Sequence, residues 1–161
     1  MAADGGAAPR GEATVRRGHV DDAEAIASLY RRVRQECVPD IPPLAHHPAS
    51  VGWWVRTRLL RDAEVWVAET PEGLVGLMAL VPPDSLDQLY ILRAASRQGL
   101  GSRFLSVARH RFPEGLQCWT FQSNTGARRF YEHHGFIPVE WTDGDNEEGE
   151  PDVRYVWRPG G

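Results

Sequence analysis

Residues able to bind an anion lie in the stretch "ASRQGLGSRF", residues 95–104, which joins an apolar run to a helical pattern. The first turn of a helix leaves backbone N–H groups without intrahelical acceptors, and the helix dipole adds a partial positive charge there. Gly99 and Gly101 allow a positive φ and a close approach of backbone to ligand oxygens, while Arg97 adds a charge and Ser102 a hydroxyl. These residues predict a phosphate-binding turn, with a plain tight turn between strand and helix as the alternative.

The stretch matches neither of two well-known phosphate-binding motifs. A dinucleotide-binding fingerprint needs a third glycine at the position of Phe104, and it opens the first strand–helix–strand unit of a chain. A P-loop needs a lysine, which this sequence lacks altogether. A nucleotide-binding domain is therefore the weakest alternative.

A second stretch, "QSNTGARRFYEHHGF", residues 122–136, follows the next predicted strand. Together the two stretches resemble the GNAT superfamily of acyl-CoA-dependent N-acyltransferases, in which a Gly-x-Gly/Ala turn opens one helix and an Asn opens the next. The matching residues are Gly99, Gly101, Asn124, Ala127, Phe130, Tyr131, Gly135 and Phe136. The resemblance covers roughly residues 13–158, and it departs from the family at Ser96, where a long Gln or Arg side chain is usual.

This resemblance implies a binding site for acetyl-CoA as co-substrate and no metal. The pantetheine arm is expected in a gap between two splayed strands, paired with the backbone of the first, and the pyrophosphate is expected on the glycine turn. The residues implied to bind the co-substrate are Ile91, Leu92, Arg93, Arg97, Gln98, Gly99, Leu100, Gly101, Ser102, Asn124, Arg128 and Tyr131.

The resemblance also implies two catalytic residues. Tyr131 is expected to donate a hydrogen bond to the departing thiolate, and a core aromatic is its alternative role. Asp87, with Asp84 and Glu36 behind it, is the candidate base that deprotonates the amine, and burial would then raise its pKa. A solvated acid is the alternative for Asp87.

The resemblance also implies an acceptor pocket at the second predicted helix, and no residue spacing indicates a metal site. Trp53 and Trp54 either line that pocket or belong to the core. The pairs His46–His47 and His133–His134 lack Cys or acidic partners at ligand spacing, and Cys118 reads as a buried apolar residue.

Charge is distributed unevenly along the chain, whose net charge is −4 at pH 7. The segment from Glu140 to Asp152 carries seven acidic residues and no basic one, while the rest of the chain is nearly balanced. A surface-wide basic field for nucleic acid is therefore excluded. If the acidic segment borders the acceptor site, it favours cationic amines; a solvated hairpin is the alternative.

Length and composition predict one domain over residues 13–161 behind a disordered tail, residues 1–12, in a chain of 161 residues. No apolar run is long enough to span a bilayer, so no membrane partner is expected. The two cysteines, Cys37 and Cys118, show no framework spacing, which favours the reducing cytoplasm. The sequence leaves open whether the chain forms a homodimer.

Hydrophobic periodicity predicts an α/β (α+β) fold with a mixed, mostly antiparallel central sheet of about seven strands and about four flanking helices. The predicted strands cover 13–17, 64–69, 74–81, 86–92, 116–121, 136–141 and 153–157. The predicted helices cover 21–37, 49–60, 100–112 and 124–134, and a capping box of Asp21 and Glu24 is expected at the first.

With the resemblance, this fold implies an N-acetyltransferase that moves an acetyl group from acetyl-CoA to a primary amine of a small molecule or peptide in a ternary complex. A non-catalytic sensor that binds acyl-CoA is the alternative from a different functional class.

Overall fold

A computed structural model describes residues 13–37 and 47–160. The predicted disordered tail, residues 1–12, and most of the Pro-rich stretch that contains His46 lie outside the described residues. Within the described ranges, no helix is both long and apolar enough to cross a membrane.

Four neighbouring antiparallel strands form the first half of the central sheet. They are β1 (Thr14–Arg17), β2 (Glu64–Thr70), β3 (Gly73–Val81) and β4 (Ser85–Ile91). Short turns join β2 to β3 and β3 to β4, as the sequence predicts, because turn residues separate runs of alternating apolar side chains.

The described residues between β1 and β2 form two helices. Helix α1 (Ala23–Glu36) follows a single 3₁₀ turn, Val20–Asp22. Helix α2 consists of Val51–Trp54, a π-helical turn Val55–Leu59 and a last turn Leu60–Asp62.

The predicted capping box of Asp21 and Glu24 is wrong. His19 and Asp22 form the box two residues earlier, because the chain enters α1 through the 3₁₀ turn. The amide of His19 donates to the Asp22 carboxylate at 2.7 Å, and His19 Nδ1 accepts from the Asp21 amide at 3.2 Å.

The second half of the sheet alternates strands and helices. It contains α3 (Leu100–Arg111), β5 (Leu116–Phe121), α4 (Thr125–His133), β6 (Ile137–Trp141) and β7 (Asp152–Trp157). The complete strand order is β1-β2-β3-β4-β5-β7-β6, so β7 inserts between β5 and β6. The structure thus confirms the predicted mixed sheet of seven strands and four helices.

Both faces of the sheet are covered by helices. The side chains of strand β3 reach both of these cores. Leu77 and Ala79 belong to the core under α1 and α2, and Met78 and Leu80 belong to the core under α3 and α4. All four side chains are fully buried. A strand alternates its side chains between the two faces, so a continuous apolar run fits a strand that is buried on both sides. Each buried aliphatic side chain contributes about 1.5–3 kcal/mol of transfer free energy.

Strands β4 and β5 are parallel neighbours that stay together at one end only. Their single ladder pair is Ser85 with Gln117. There the Gln117 amide donates to the Asp84 carbonyl at 2.9 Å, and Gln117 Nε2 donates to Asp84 Oδ1 at 2.8 Å. Beyond this pair the two strands diverge, which produces the predicted gap in the middle of the sheet.

Candidate active site

The glycine turn begins helix α3 at the open end of β4. Gly99 is the N-cap with φ +78°, a left-handed conformation that favours glycine, and its carbonyl accepts the first helical bond from Arg103 at 3.0 Å. The amides of Leu100, Gly101 and Ser102 therefore have no intrahelical acceptor. A Cβ at Gly99 would meet no atom within 4 Å, so the left-handed backbone, and not crowding, is what favours glycine here.

The residues before the turn are held by local hydrogen bonds. The amide and the hydroxyl of Ser96 donate to the Arg93 carbonyl at 3.1 and 2.7 Å, so this departure from the family pattern has a structural role. Arg97 has a left-handed φ of +62°, and the side chains of Arg97 and Gln98 are exposed beside the turn. Both are free to reach a ligand above it.

The backbone of Gly101 differs from the one expected, although its amide is free of an intrahelical acceptor. It does not have a positive φ; it lies inside α3, where a Cβ would come within 2.7 Å of the Phe130 ring on α4. Glycine is required here because the two helices approach each other closely, and not for a special backbone conformation.

The hydroxyl of Ser102 is paired within the protein. Its oxygen lies 2.9 Å from His134 Nε2, and His134 Nδ1 lies 2.8 Å from the Phe130 carbonyl. A carbonyl only accepts hydrogen bonds, so Nδ1 donates to it, and in the neutral ring Nε2 accepts from Ser102. The backbone amide of Ser102, rather than its hydroxyl, remains available to a ligand.

The open edge of β4 is shorter than the predicted Ile91, Leu92 and Arg93. The Leu92 amide donates to the Val75 carbonyl of β3 at 2.9 Å. Alternate residues of a strand direct their backbone groups to opposite sides, so the N–H of Ile91 points toward β5 and the gap. The Arg93 amide donates to Glu36 Oε1 at 3.2 Å. Only Ile91 of the three therefore presents a backbone donor to the gap.

A cavity of about 520 Å³ occupies the gap between β4 and β5. Asp87 lies on the β4 side, Trp119 on the β5 side, and Asn124 and Tyr131 on α4. Trp53 and Trp54 of α2 also line it, as predicted for an acceptor pocket. The cavity thus brings together residues from both halves of the chain.

Tyr131 is buried in this cavity, with 7% of its surface exposed. Its ring packs against Phe130, Phe136 and Tyr155 at centroid distances of 5.4, 5.3 and 5.9 Å. Its hydroxyl interacts with the thiol of Cys118 on β5. Burial raises the pKa of Tyr131 well above its usual value, so the hydroxyl stays protonated and can donate a hydrogen bond.

Asn124 and Arg128, two further predicted ligands on α4, differ in availability. Asn124 caps the helix, accepting from the Ala127 amide at 3.2 Å, and lines the cavity. Arg128 donates to the Gln122 carbonyl at 3.1 Å and lies 5.0 Å from the Trp141 ring. These contacts give Arg128 a structural role and do not support the prediction that it binds the co-substrate.

The three acidic candidates for a base occupy different places. Asp84 ties β4 to β5, and Glu36 accepts from the Arg93 amide, so both acids hold backbone elements together. Asp87 is the one that lines the cavity. It is exposed, contrary to the burial expected for a base with a raised pKa.

Sequence reasoning missed several cavity residues on α1 and β4. Tyr30, Arg34 and Tyr90 line the wall opposite Tyr131. Arg34 is only 4% exposed, and its guanidinium donates to the Tyr30 hydroxyl at 3.3 Å. The sequence contains a signal for a buried polar contact at Arg34. This residue lies four positions after Tyr30 on the apolar face of α1, where a charged side chain needs a partner.

Residues 61–138 match the family model described as acetyltransferase (GNAT) domain. The peptidyl-lysine N-acetyltransferase YiaC of Escherichia coli (strain K12) is 30% identical over 91 residues, which is 55% of this chain and 62% of that relative. The matched part is thus less than two thirds of the relative's length.

Solved structures agree over almost the whole chain. The apo form of YjaB from Escherichia coli superposes with a TM-score of 0.71 at 22% identity, covering 90% of this chain and 97% of that one. The PaiA N-acetyltransferase of Thermoplasma acidophilum, solved in complex with coenzyme A, gives a TM-score of 0.71 at 18% identity, covering 91% and 98%. The domain match over residues 61–138 and the shared fold together support membership of the GNAT superfamily of acetyltransferases.

Proposed function

We propose that this protein is an N-acetyltransferase that transfers an acetyl group from acetyl-CoA to a primary amine of a small molecule or peptide in a ternary complex. The observation that carries the proposal is the gap between β4 and β5, which has the glycine turn at its end and Tyr131 on its wall. The names of the relatives support it: one is a peptidyl-lysine N-acetyltransferase, and another N-acetyltransferase was solved with coenzyme A.

The residues around the gap fit the co-substrate. The amides of Leu100, Gly101 and Ser102 would hold its pyrophosphate, helped by the dipole of α3 and the side chains of Arg97 and Gln98. The open edge of β4 at Ile91 would pair with the amide groups of the pantetheine arm, which adds one strand to the sheet. Acetyl-CoA supplies a thioester whose acyl group is transferred.

The acceptor must lose a proton before it attacks. An alkylamine with a pKa of about 10.4 is mostly protonated at pH 7, and deprotonation costs about 4.6 kcal/mol. Asp87 lines the cavity and is the proposed base, either directly or through water, since it is accessible to solvent.

Two groups of the chain stabilise the charge that moves during transfer. The Ile91 amide, directed into the gap, would donate to the acyl oxygen as it gains negative charge. The Tyr131 hydroxyl would donate to the departing sulfur, moving from its present partner, the Cys118 thiol. Since burial keeps Tyr131 protonated, its proton is available throughout the neutral pH range.

The proposal is tested by following the release of free coenzyme A from acetyl-CoA with a panel of amines. We expect turnover that depends on the acceptor and saturates in both substrates. Stoichiometric binding of acetyl-CoA without turnover on any amine would contradict the enzyme and favour the sensor.

A further inference from the structure

The cavity between β4 and β5 is rich in aromatic side chains. Seven of the residues that line it are aromatic, although Phe, Trp and Tyr make up only 9% of the chain. Besides Tyr131, the aromatic lining residues are Tyr30, Trp53, Trp54, Tyr90, Trp119 and Phe121. A concentration of aromatic rings along a cavity wall is typical of a surface that binds a small ligand.

The six rings other than that of Tyr131 lie on one side of the sheet. Four of them belong to α1, to α2 or to the side of β4 that these helices cover. On β5, Cys118 faces the core under α3 and α4. Side chains of a strand alternate between its two faces, so Trp119 and Phe121 point toward the α1 side. The glycine turn and Tyr131 belong to α3 and α4, so the six rings border the space that the co-substrate leaves for the acceptor.

Two of the six rings are open to a ligand. Tyr30 packs against Trp54 and Tyr90 at centroid distances of 5.2 and 5.5 Å, so these three rings support one another. Trp53 and Trp119 are 59% and 45% exposed, and among the residues that the structure describes neither pairs with another aromatic ring. Exposed indole faces beside a cavity lose their contact with water only when a ligand covers them.

The acidic loop between β6 and β7 closes another side of the cavity. Its residues Glu147 and Glu148 line the cavity, together with Asp152 at the start of β7. Gln122 Nε2 donates to the carbonyls of Thr142 and Asp152 at 2.8 and 3.0 Å, which joins the two ends of the loop. The alternative of a freely solvated hairpin is therefore wrong, and the rings face a bounded cavity.

Resting on the proposed function, we propose that the acceptor carries a planar aromatic ring beside the amine that is acetylated. The rings of Trp53 and Trp119 would pack against this ring while the amine reaches Asp87, which lines the same cavity. Two aromatic rings attract each other beyond the effect of the area that they bury, so this wall favours a ring over a saturated group of the same size. The substrate class is therefore an arylalkylamine.

Three primary amines with the same number of carbon atoms test this inference: 3-phenylpropylamine, 3-cyclohexylpropylamine and nonylamine. They end in an aromatic ring, a saturated ring and a plain chain, and the three-carbon spacer separates each ring from the nitrogen. We expect the kcat/KM for 3-phenylpropylamine to exceed that for 3-cyclohexylpropylamine by about 3- to 10-fold, with nonylamine the poorest. Calorimetry of the three amines with protein saturated with coenzyme A gives a second readout that needs no turnover.

Variants locate the ring site. Trp53→Leu and Trp119→Leu, singly and together, keep apolar side chains but remove the rings, so they should reduce the preference for 3-phenylpropylamine over 3-cyclohexylpropylamine, to below about 2-fold in the double variant. Trp119→Phe keeps a ring and should retain most of the preference. Trp141→Leu is the matched control, since Trp141 is 53% exposed and does not line the cavity. It should keep the preference of the unaltered protein.

The outcomes separate the inference from the proposed function. Equal turnover of the three amines, or a preference for the saturated ring or the plain chain, would overturn the ring site and leave the acetyltransferase intact. Tighter binding of 3-phenylpropylamine without turnover of any amine would support the ring site and overturn the acetyltransferase. Neither turnover nor preferential binding would overturn both, and a preference equally reduced by Trp141→Leu would contradict the assignment to Trp53 and Trp119.

Discussion

Gly101 of α3 faces the ring of Phe130 on α4 so closely that a Cβ at position 101 would lie 2.7 Å from Cε2 and 2.8 Å from Cζ. The helix that presents the free amides therefore rests directly on the residue before Tyr131. Phe130 also contacts the His134 ring at 4.4 Å, and His134 bonds to Ser102. The glycine turn and the segment that carries Tyr131, the proposed hydrogen-bond donor, are thus parts of one packed unit.

Gly101→Ala should weaken both stability and binding of coenzyme A. The added Cβ must displace the Phe130 ring, which costs about 1–3 kcal/mol of unfolding free energy. Urea unfolding and calorimetry measure the two effects. Phe130→Leu makes room for the added Cβ. The double variant Gly101→Ala/Phe130→Leu should therefore lose less unfolding free energy than the sum of the losses in the two single variants. Strict additivity would contradict the proposed steric link.

Tyr131→Phe should reduce kcat by about 10- to 100-fold and leave the affinity for acetyl-CoA within about 2-fold, because only the hydroxyl is lost from a packed ring. Steady-state kinetics gives both values. Burial holds the pKa of Tyr131 well above 10. The kcat of the unaltered protein should therefore not decrease through deprotonation of Tyr131 as the pH rises to 10. An unchanged kcat in the variant would remove Tyr131 from the chemistry.

Asp87→Asn should lower kcat/KM by about 100-fold at pH 7, the size usual for loss of a general base. The loss should shrink as pH rises toward 10, because the free amine then needs no base. Glu114→Gln, which removes an exposed charge elsewhere, is the control. A variant as active as that control at pH 7 would assign deprotonation to water.

Asp22→Asn should destabilise the fold by about 1–2 kcal/mol at pH 7. The Asp22 carboxylate accepts two hydrogen bonds from Arg16, at 2.9 and 2.8 Å, and these hold its pKa below the usual value. A lowered pKa means that this stabilisation is present above pH about 4 and is lost as pH falls through the folded-state value. Urea unfolding should therefore show a smaller difference in unfolding free energy between the variant and the unaltered protein at pH 3 than at pH 7. An equal difference at the two pH values would contradict the ionic contribution.

Periodicity predicted most of the fold because the signals are local. The short continuous apolar run of β3 and the apolar face of α4 identify strand and helix without knowledge of their neighbours. The insertion of β7 between β5 and β6 follows from pairing between segments that are distant in the chain, which periodicity does not encode. The His19–Asp22 box was missed because the 3₁₀ turn shifts the start of α1.

The sequence motifs predicted only the part of the candidate site that the motif residues themselves form. The resemblance named Tyr131 and Asn124, which line the cavity, and the turn at Gly99, which begins α3. The positive φ that a glycine at position 101 suggested is absent, because the constraint there comes from Phe130 across a helix contact. The sequence of α1 places Arg34 on an apolar face, but its contact with Glu148 in the loop after β6 joins segments too distant in the chain for periodicity to pair.

The place of β7 has a consequence for biosynthesis. A ribosome makes β5 and β6 before it makes β7, yet β6 has no neighbour in the sheet and β5 lacks its second neighbour until residues 152–157 emerge. The loop that carries Glu147 and Glu148 is closed by that same strand, through the bond from Gln122 to the Asp152 carbonyl. A nascent chain therefore completes this wall of the cavity last, after the glycine turn and helix α4 have been translated.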